Sequence, residues 1–179
     1  HADAAVYYMR VRDLQLSVMA GDYGYGRQMI NAGRSSSCGL ELSLRGTALD
    51  NRFTWAATYG YTHSQLLDYE DNQVPFIPTH TFSAMTDYRI GKFTFGLNVA
   101  GNGPTYWDVD NEYRQKLYAT LGAHAMVDFG CIKLNVWGRN LTDTKYNTML
   151  VNSSIDGTNR SFAQQGNPLQ VGADIIMHF

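Results

Sequence analysis

The stretch that decides the fold reads Leu169-Gln170-Val171-Gly172-Ala173-Asp174-Ile175-Ile176-Met177-His178-Phe179. Side chains of an extended strand alternate between its two faces. One face therefore carries these apolar residues: Leu169, Val171, Ala173, Ile175, Met177 and Phe179. The other face carries mostly polar or small residues, among them Gln170, Gly172 and Asp174. The pattern predicts a β-strand that has one apolar face and ends on an aromatic ring.

The terminal aromatic ring distinguishes between two possible environments for this strand, a soluble protein core and a membrane. A soluble β-sandwich also alternates, but it has little reason to place a phenyl ring beside the terminal carboxylate. In an outer-membrane barrel the ring of Phe179 lies at the bilayer interface, within a girdle of aromatic residues. The pattern resembles the terminal strand that bacterial outer-membrane barrels present to their assembly machinery. That resemblance implies a targeting and insertion role for Ile175, Met177 and Phe179, with the barrel assembly machinery as partner.

The composition of the 179-residue chain excludes several classes of protein. No run approaches the roughly 18 apolar residues of a membrane-spanning helix. The mean hydropathy of −0.30 is compatible with a barrel wall, because alternation hides the membrane signal. A net charge of −2 without a run of Lys or Arg offers no basic surface to nucleic acid. Cys38 and Cys131 form no CxxC motif, and we expect two free thiols, buried or facing lipid.

Eight segments of the chain alternate in this way, and the connections between them are alternately long and short. The long connections cover about residues 21–26, 67–79, 101–113 and 146–166, and the tight turns lie near residues 48–51, 90–91 and 128–130. Outer-membrane barrels have short periplasmic turns and long outer loops. The sequence therefore predicts an all-β fold, an antiparallel up-and-down transmembrane β-barrel. The carboxyl terminus and the tight turns belong on the periplasmic side.

In the first segment, residues 6–18, the alternation of apolar residues changes phase partway along. Tyr7 and Met9 occupy one face, whereas the apolar residues that begin at Leu14 continue in the other phase. An extra residue in one strand of a pair produces such a shift. We therefore predict a β-bulge near Arg12.

The two faces of the predicted strands differ in charge. The apolar faces contain no Asp, Glu, Lys or Arg, as a lipid-facing surface requires, since one Lys or Arg at the midplane costs about 2–4 kcal/mol. The opposite faces suit a wet interior and hold these residues: Glu41, Arg45, Asp87, Asn98, His124, Lys133, Asn135, Arg139 and Asp174. Met85, Met126, Trp137 and Ile176 depart from this rule.

Three further stretches resemble the closing strands of TonB-dependent outer-membrane receptors. They are Asn31-Ala32-Gly33 followed by Gly39-Leu40-Glu41, then Val74-Pro75-Phe76-Ile77-Pro78-Thr79-His80, and then Asn140-Leu141-Thr142-Asp143-Thr144-Lys145-Tyr146. Together with the terminal strand they follow the order and spacing of that family over nearly the whole chain. The resemblance implies a barrel of about 22 strands. Residues 1–179 would be its eight carboxyl-terminal strands, without the plug domain.

The resemblance also implies a function and its partners. The family takes up a scarce nutrient such as a ferric siderophore, haem or cobalamin across the bacterial outer membrane. Uptake is driven by the TonB complex, which acts through the plug region that this chain lacks. Outer-membrane lipid and the nutrient ligand are the other expected partners.

Candidate ligand-binding residues lie in the long connections, because aromatic groups with a few polar neighbours are typical of binding sites. They are Tyr106, Trp107, Asp108, Asp110, Tyr113 and Arg160. For Asn140 and Asp143 we expect a structural role, since Asn and Asp bond nearby backbone groups.

The sequence offers little for a metal, a cofactor or catalysis. None of the five histidines shows metal-ligand spacing with another His, Cys or carboxylate on one strand face, so we expect no metal and no cofactor. His80 and Ser83 are the nearest approach to a catalytic pair, and we expect no enzyme.

Two other functions stay open at this point. One is a self-contained eight-stranded outer-membrane barrel with a structural or adhesive role, since eight strands can close around an interior filled by side chains. The other is a soluble ligand-binding β-barrel, which would need no detergent.

Overall fold

The alternating segments form long strands in the computed structural model, which describes residues 1–19, 27–155 and 158–177. The strands are β1 (Ala2–Val11), β2 (Gln15–Met19), β3 (Arg27–Asn31), β4 (Ser35–Ala48), β5 (Phe53–Leu66), β6 (His80–Ile90), β7 (Phe93–Gly103), β8 (Thr105–Tyr106), β9 (Arg114–Gln115), β10 (Tyr118–Asp128), β11 (Ile132–Arg139), β12 (Asn147–Ile155), β13 (Thr158–Gln165) and β14 (Gln170–Met177). Within the described ranges no helix is long and apolar enough to cross a bilayer.

Eight of these strands form one sheet, in the order β1-β4-β5-β6-β7-β10-β11-β14. Each strand pairs antiparallel with the next strand of the sheet, so the predicted up-and-down arrangement of eight strands is confirmed. β1 and β14 are the two edges of the sheet. The tight turns follow β4, β6 and β10 at one end, and the long connections lie at the other end.

Three of the long connections contain hairpins that the sequence did not predict. β2 pairs with β3, β8 with β9, and β12 with β13, each as a separate two-stranded sheet. β2 (Gln15–Met19) carries the alternating Leu16 and Val18 that the sequence assigns to the first strand. β8 and β9 have only two residues each, and Asn147–Ile155 is rich in Ser and Asn and lacks one clean apolar face. Because the strand prediction depended on an apolar face, polar hairpins of this kind escaped it.

The tight turns use backbone conformations that favour small or turn-forming residues. Residues 49–51 all adopt positive φ (55°, 56° and 63°), as do Gly91 (59°) and Gly130 (89°). The N–H of Gly130 also donates to Oδ1 of Asp128 (2.8 Å). These turns lie where the sequence places them, since Asn, Asp and Gly tolerate the left-handed region.

The register of the ladder joins the apolar faces of the eight strands into one continuous surface. Residues directly opposite each other in antiparallel strands share a face. One row runs Val6, Leu40, Tyr61 and His80, and a row nearer the tight turns runs Tyr88, Phe95, Ala125, Val136 and Ala173. We call this surface the apolar face and its reverse the polar face.

The apolar face is not covered by a second layer of structure. Leu97 is 58% exposed, Val136 60% and Val171 75%. A sandwich would bury these side chains in its core. The buried hydrophobic residues among those described are instead Ala32, Leu66 and Val74, at the end with the long connections. The large apolar surface therefore matches a wall that faces lipid.

The first strand differs from its prediction in two ways. Tyr7 pairs with Gly39 and Met9 with Ser37, so both lie on the polar face, whereas Val6 pairs with Leu40 on the apolar face. There is no bulge near Arg12: β1 ends at Val11, and the chain leaves the sheet through Asp13 (φ 57°) into β2. The apolar residues beyond Arg12 belong to the separate β2–β3 hairpin and its surroundings, which is why their phase changes.

Glycines on the polar face make room for large neighbours on adjacent strands. The ring of Tyr7 covers Gly39, and its hydroxyl is hydrogen-bonded to Oγ1 of Thr62 (2.6 Å). Trp137 covers Gly172 in the same way. Trp137 also lies beneath the Arg139 guanidinium, 4.7 Å from its ring centroid. These pairings explain why Trp137 stands on a polar face.

We predict that Gly39→Ala destabilises the folded barrel by about 1–3 kcal/mol, because the new methyl group meets the Tyr61 carbonyl oxygen and the Tyr7 ring. Gly60→Ala is the matched control, since its methyl group meets only the flexible Thr81 side chain, with Oγ1 at 2.6 Å. The measurement is the urea midpoint of the detergent-solubilised native polypeptide. Equal midpoints for the two variants would contradict the packing argument.

Candidate functional site

The long connections fold together at one end of the sheet around a small buried core. Ala32 and Leu66 are 0% exposed and Val74 is 6% exposed. Partly buried residues from the surrounding connections pack against them: Leu14, Leu16, Tyr69, Ile77 and Val109. We call this assembly of residues 12–16, 30–34, 66–79 and 104–117 the loop body. Its core fixes the positions of surface groups that a set of independent loops would leave mobile.

Side-chain amides join two of the connections within the loop body. Asn111 accepts a hydrogen bond from the Gln73 backbone N–H (2.7 Å) and donates one to the Gln73 carbonyl (3.0 Å). Asn72 donates to the carbonyl of Val109 (3.0 Å). Asn111 adopts φ 57°, a conformation that Asn tolerates better than most residues. These three side-chain hydrogen bonds, together with backbone bonds, hold the connection after β5 to the connection after β7.

An aromatic cluster lies on this joined pair of connections. The Phe76 and Trp107 rings meet edge to face, with centroids 5.7 Å apart. The Arg114 guanidinium lies over the Tyr106 ring, 5.8 Å from its centroid. The Phe76 N–H donates to the Tyr106 carbonyl (2.8 Å). Phe76, Tyr106, Trp107 and Arg114 are called the aromatic cluster below.

Two features of the aromatic cluster are unusual for a purely structural contact. Phe76 adopts φ 66°, a left-handed conformation that is an outlier for a bulky residue and costs on the order of 1–3 kcal/mol. Nε1 of Trp107 and Oε1 of the neighbouring Gln73 are buried and lack hydrogen-bond partners among the described residues. Buried polar atoms are normally paired. Strain and unpaired buried atoms both concentrate at functional sites.

The predicted acidic residues have different roles in this arrangement. Both carboxylate oxygens of Asp108 accept backbone hydrogen bonds, from the N–H groups of Glu112 (3.1 Å) and Tyr113 (2.9 Å). Asp108 therefore closes the β8–β9 hairpin. Asp110 is exposed at the tip of that hairpin.

Five of the six predicted binding residues lie in the β8–β9 hairpin, Asp110 among them, and the sixth lies in another hairpin. Tyr106, Trp107, Asp108 and Tyr113 are neighbours in the β8–β9 hairpin, where the Trp107 N–H donates to the Tyr113 carbonyl (2.9 Å). Arg160 lies on β13, where its backbone pairs with Ser153 in another hairpin. The Arg160 side chain lies outside the described part of the chain.

Sequence reasoning missed Phe76 and Arg114 as members of the cluster. Phe76 follows Pro75 and is the ring inside a proline-bounded stretch, which is a signal for a constrained side chain. Arg114 has no comparable signal, because only the β8–β9 pairing of Tyr106 with Arg114 places it over the Tyr106 ring.

The polar face carries further polar side chains that contact one another. His124 Nε2 lies 3.4 Å from Oδ1 of Asp87, with Gly96 between their strands. Thr58 and Ser83 share a hydrogen bond (2.8 Å). Within the described residues no group of three His, Cys, Asp or Glu side chains is arranged to hold a metal ion.

Comparisons with known proteins bear on this architecture. Residues 1–141 match the family model described as TonB dependent receptor-like, beta-barrel. The chain belongs to the TonB-dependent receptor family. It is 30% identical over 154 residues to the pesticin receptor of Yersinia enterocolitica, covering 81% of this chain and 22% of that protein.

Solved structures agree with this assignment of the barrel. The ferric yersiniabactin uptake receptor from Yersinia pestis superimposes with a TM-score of 0.84 at 24% identity, over 99% of this chain and 27% of that one. A ferric citrate transporter in its unliganded form gives a TM-score of 0.72 at 22% identity, over 98% of this chain and 29% of that one. The chain thus spans about a quarter of these relatives. The matches support a portion of a large receptor barrel in the bacterial outer membrane, and not a self-contained eight-stranded barrel.

The motif residues of this receptor family hold the loop body onto the strands. Asn31 Oδ1 accepts the N–H of Gly33 (2.8 Å), Ala32 fills the buried core, and Gly33 (φ 71°) lies against the Asp68 carboxylate. Asp68 in turn accepts from the Arg34 backbone N–H (2.7 Å) and from its guanidinium Nη2 (2.7 Å). Hydrogen bonds from the Arg34 side chain lower the pKa of Asp68, and the Arg34 backbone N–H adds to the effect.

The last motif locks the connection that precedes the terminal strand. Asn140 is 6% exposed and adopts φ 48°. Its side chain donates to the carbonyls of Thr144 (3.1 Å) and Asn167 (2.9 Å) and accepts from the Thr144 N–H (2.9 Å). Asp143 accepts from the Leu169 N–H (3.1 Å), and hydrogen bonds from Lys145 and then Leu169 lower its pKa. The predicted structural role of Asn140 and Asp143 is confirmed.

Asn140→Ala should destabilise the barrel by about 2–4 kcal/mol, because it removes three part-buried hydrogen bonds and a residue that tolerates positive φ. Limited proteolysis within residues 143–169 and the urea midpoint report the loss. Thr142→Ala in the same turn, where the exposed Thr142 hydroxyl contacts only that of Thr144 (2.8 Å), should change neither. An unchanged urea midpoint for Asn140→Ala would contradict the claim that the Asn140 hydrogen bonds stabilise this connection.

The Arg34–Asp68 pair predicts a pH dependence at the base of the loop body. The pKa of Asp68 is lowered in the folded state, so its stabilisation is present above the ordinary aspartate value and is lost as the pH falls through the lowered value. Amide hydrogen exchange in residues 31–34 and 66–69, corrected for intrinsic rates, should accelerate below about pH 4. Asp68→Asn should exchange rapidly at every pH, whereas the control Asp71→Asn should behave as the native protein.

Proposed function

We propose that this chain forms the carboxyl-terminal part of the barrel wall in a transporter that takes up a scarce, large nutrient, with a ferric siderophore as the favoured class. Membership of the receptor family supports this proposal. So do the functions of two structural relatives, which take up ferric yersiniabactin and transport ferric citrate. In the proposal, energy coupling comes from the TonB complex through a plug region that is not among residues 1–179.

The aromatic cluster is the ligand-contacting part of this segment. The observation that carries the assignment is the strained Phe76 beside the unpaired buried Nε1 of Trp107. A ligand acceptor that displaces the groups covering this N–H would satisfy it, and ligand binding gives a reason to retain the strain. The flat Tyr106 ring and the Arg114 guanidinium suit a ligand with planar groups and negative charge. Tyr113 and Asp110 belong to the same β8–β9 hairpin, and in this proposal Tyr113 adds to the aromatic surface while Asp110 stays in solvent at the hairpin tip.

Asp108 serves the same site by positioning it. Its carboxylate is already used by two backbone N–H groups, so it shapes the hairpin that carries Trp107. A free carboxylate would also repel an anionic chelate. Arg160 is a second cation of the ligand surface in this proposal, from the β12–β13 hairpin.

Binding and passage, without covalent chemistry, are the activities we assign. His80 and Ser83 cannot act as a pair on one substrate, because they lie on opposite faces of β6. His80 is engaged on the apolar face by the Tyr59 hydroxyl (2.9 Å), and Ser83 by Thr58 on the polar face.

The apolar face supplies the membrane partners of the proposal. Its contiguous exposed side chains fit outer-membrane lipid. Ile175 is 65% exposed and Met177 54% on the edge strand β14, where the barrel assembly machinery would recognise them. Phe179 lies outside the described residues.

Trp107→Ala should raise the dissociation constant of the ligand at least tenfold, since aromatic residues at the centre of a binding surface typically contribute 2 kcal/mol or more. Ferric yersiniabactin and ferric citrate are the probes, tested by binding to the full-length native polypeptide and by uptake into cells with and without TonB. Trp107→Phe tests the N–H alone, because it keeps the ring packing and removes the donor.

Tyr8→Ala is the matched control, since Tyr8 is 70% exposed on the apolar face of β1, away from the aromatic cluster and from the β12–β13 hairpin. Its affinity should stay within about twofold of the native value. Uptake that does not depend on TonB would contradict the transport proposal. Equal losses for Trp107→Ala and Tyr8→Ala would contradict the assignment of the site.

A further inference from the structure

The turn between β6 and β7 presents a cation at the edge of the apolar face. Gly91 (φ 59°) and Lys92 form this two-residue turn. Nζ of Lys92 lies 5.6 Å from the centroid of the Phe129 ring, which belongs to the next tight turn. That distance is within the range of a cation–π contact. The ammonium group is therefore held beside the membrane-facing surface, where a free lysine would extend into water.

Lys92 has no carboxylate partner among the described residues. The nearest acidic group along the ladder is Asp128, whose backbone N–H donates to the Lys92 carbonyl (2.9 Å). The Asp128 carboxylate already pairs with Lys133 (3.0 Å) and accepts from the Gly130 N–H (2.8 Å). An ammonium group without a counter-ion at an apolar edge favours an external anion.

The apolar surface beside Lys92 is wide and exposed. Ile90 is 53% exposed, Phe93 51% and Phe129 55%. These three side chains surround the base of the turn, at the depth where lipid headgroups give way to acyl chains. A ligand held at Lys92 would therefore need an apolar portion next to its charge.

A groove of about 550 Å³ opens on the apolar face directly above this position. Its floor is made by Ala123, Ala125 and Gly138, and its wall by Tyr88, Phe95 and Leu97. The groove exists because these small residues lie opposite large ones, as Ala125 does opposite Phe95. Its lower row, Tyr88 with Phe95, lies two residues above the row of Ile90 with Phe93, a rise of about 7 Å along the strand.

We propose that Lys92 and this groove form a binding site for one phospholipid of the periplasmic leaflet. The phosphate lies on the Lys92 ammonium group, and one acyl chain runs over Ile90 and Phe93 into the groove. The free cation favours an anionic headgroup such as phosphatidylglycerol. The tight turns of an outer-membrane barrel lie on the periplasmic side, which selects a phospholipid over lipopolysaccharide. The site is independent of the nutrient and lies at the end opposite the loop body.

Native mass spectrometry of the full-length receptor with added phosphatidylglycerol tests both halves of the site. Lys92→Gln should raise the apparent dissociation constant about fivefold, the effect expected of one cation near a lipid surface. Lys92→Arg should retain binding. Ala125→Leu should block the groove and weaken binding of phosphatidylglycerol and phosphatidylethanolamine alike, whereas Lys92→Gln should affect phosphatidylglycerol more.

Two control variants make the same change of charge and the same change of volume at positions outside the site. Lys116→Gln removes an exposed cation from a long connection, and Ala119→Leu adds the same volume on the apolar face of β10 outside the groove. Both should bind as the native receptor does, with heat-modifiable electrophoretic mobility as the check on folding. Equal binding by Lys92→Gln and native receptor would overturn the proposal, as would equal losses in Lys92→Gln and Lys116→Gln. Preferential retention of lipopolysaccharide at Lys92 would also overturn it.

Discussion

The structure depends on an unbroken antiparallel ladder that runs through eight strands. In hydrocarbon every backbone N–H and C=O needs a partner within the protein, so a wall of paired strands is one of the few arrangements that can lie there. The register of the same ladder places apolar residues of neighbouring strands directly opposite each other. The apolar sides of the individual strands therefore form one continuous face. Many side chains of that face are exposed, Leu97, Val136 and Val171 among them, and no second layer lies against it within the described part of the chain. The solvent for these side chains is therefore lipid.

Within this wall, packing takes place across strands. Large side chains such as Tyr7 and Trp137 cover glycines on the next strand, so the polar face is filled without bulky residues at every position. On the apolar face the inverse arrangement, small Ala125 opposite large Phe95, leaves a groove. Both follow from one rule, that the space above a residue is set by its partner on the adjacent strand.

The loop body at one end of the sheet has its own small hydrophobic core. Ala32, Leu66 and Val74 form its core, and Asn72, Gln73 and Asn111 join two connections by hydrogen bonds. The motif residues Gly33 and Asn140 fix where the connections leave the strands. Such a body can hold Phe76 in a strained conformation, because many contacts determine its position. A surface of this kind is pre-organised for a ligand, which lowers the entropy lost on binding.

The sequence by itself determined the eight strands, their up-and-down order, and the ends at which turns and long connections lie. It also determined which face is apolar in every strand of the sheet except β1. It could do so because alternation with a period of two and turn residues such as Gly91 are local signals. It also identified Tyr106 and Trp107 as candidates, and Asn140 and Asp143 as structural residues. The resemblance of short motifs supplied the family.

Only the tertiary structure decided the rest. The phase of β1 required its register against β4, since both faces of that strand contain apolar residues. The β12–β13 hairpin lacks the apolar face on which a strand prediction depends, β8 and β9 are too short to show one, and β2 separates from β1 only in the structure. The partners of Trp107 and Tyr106, which are Phe76 and Arg114, come from a different connection and from the opposite strand of a hairpin. Contacts of that kind depend on how separate segments meet in space, and no local pattern of residues encodes them.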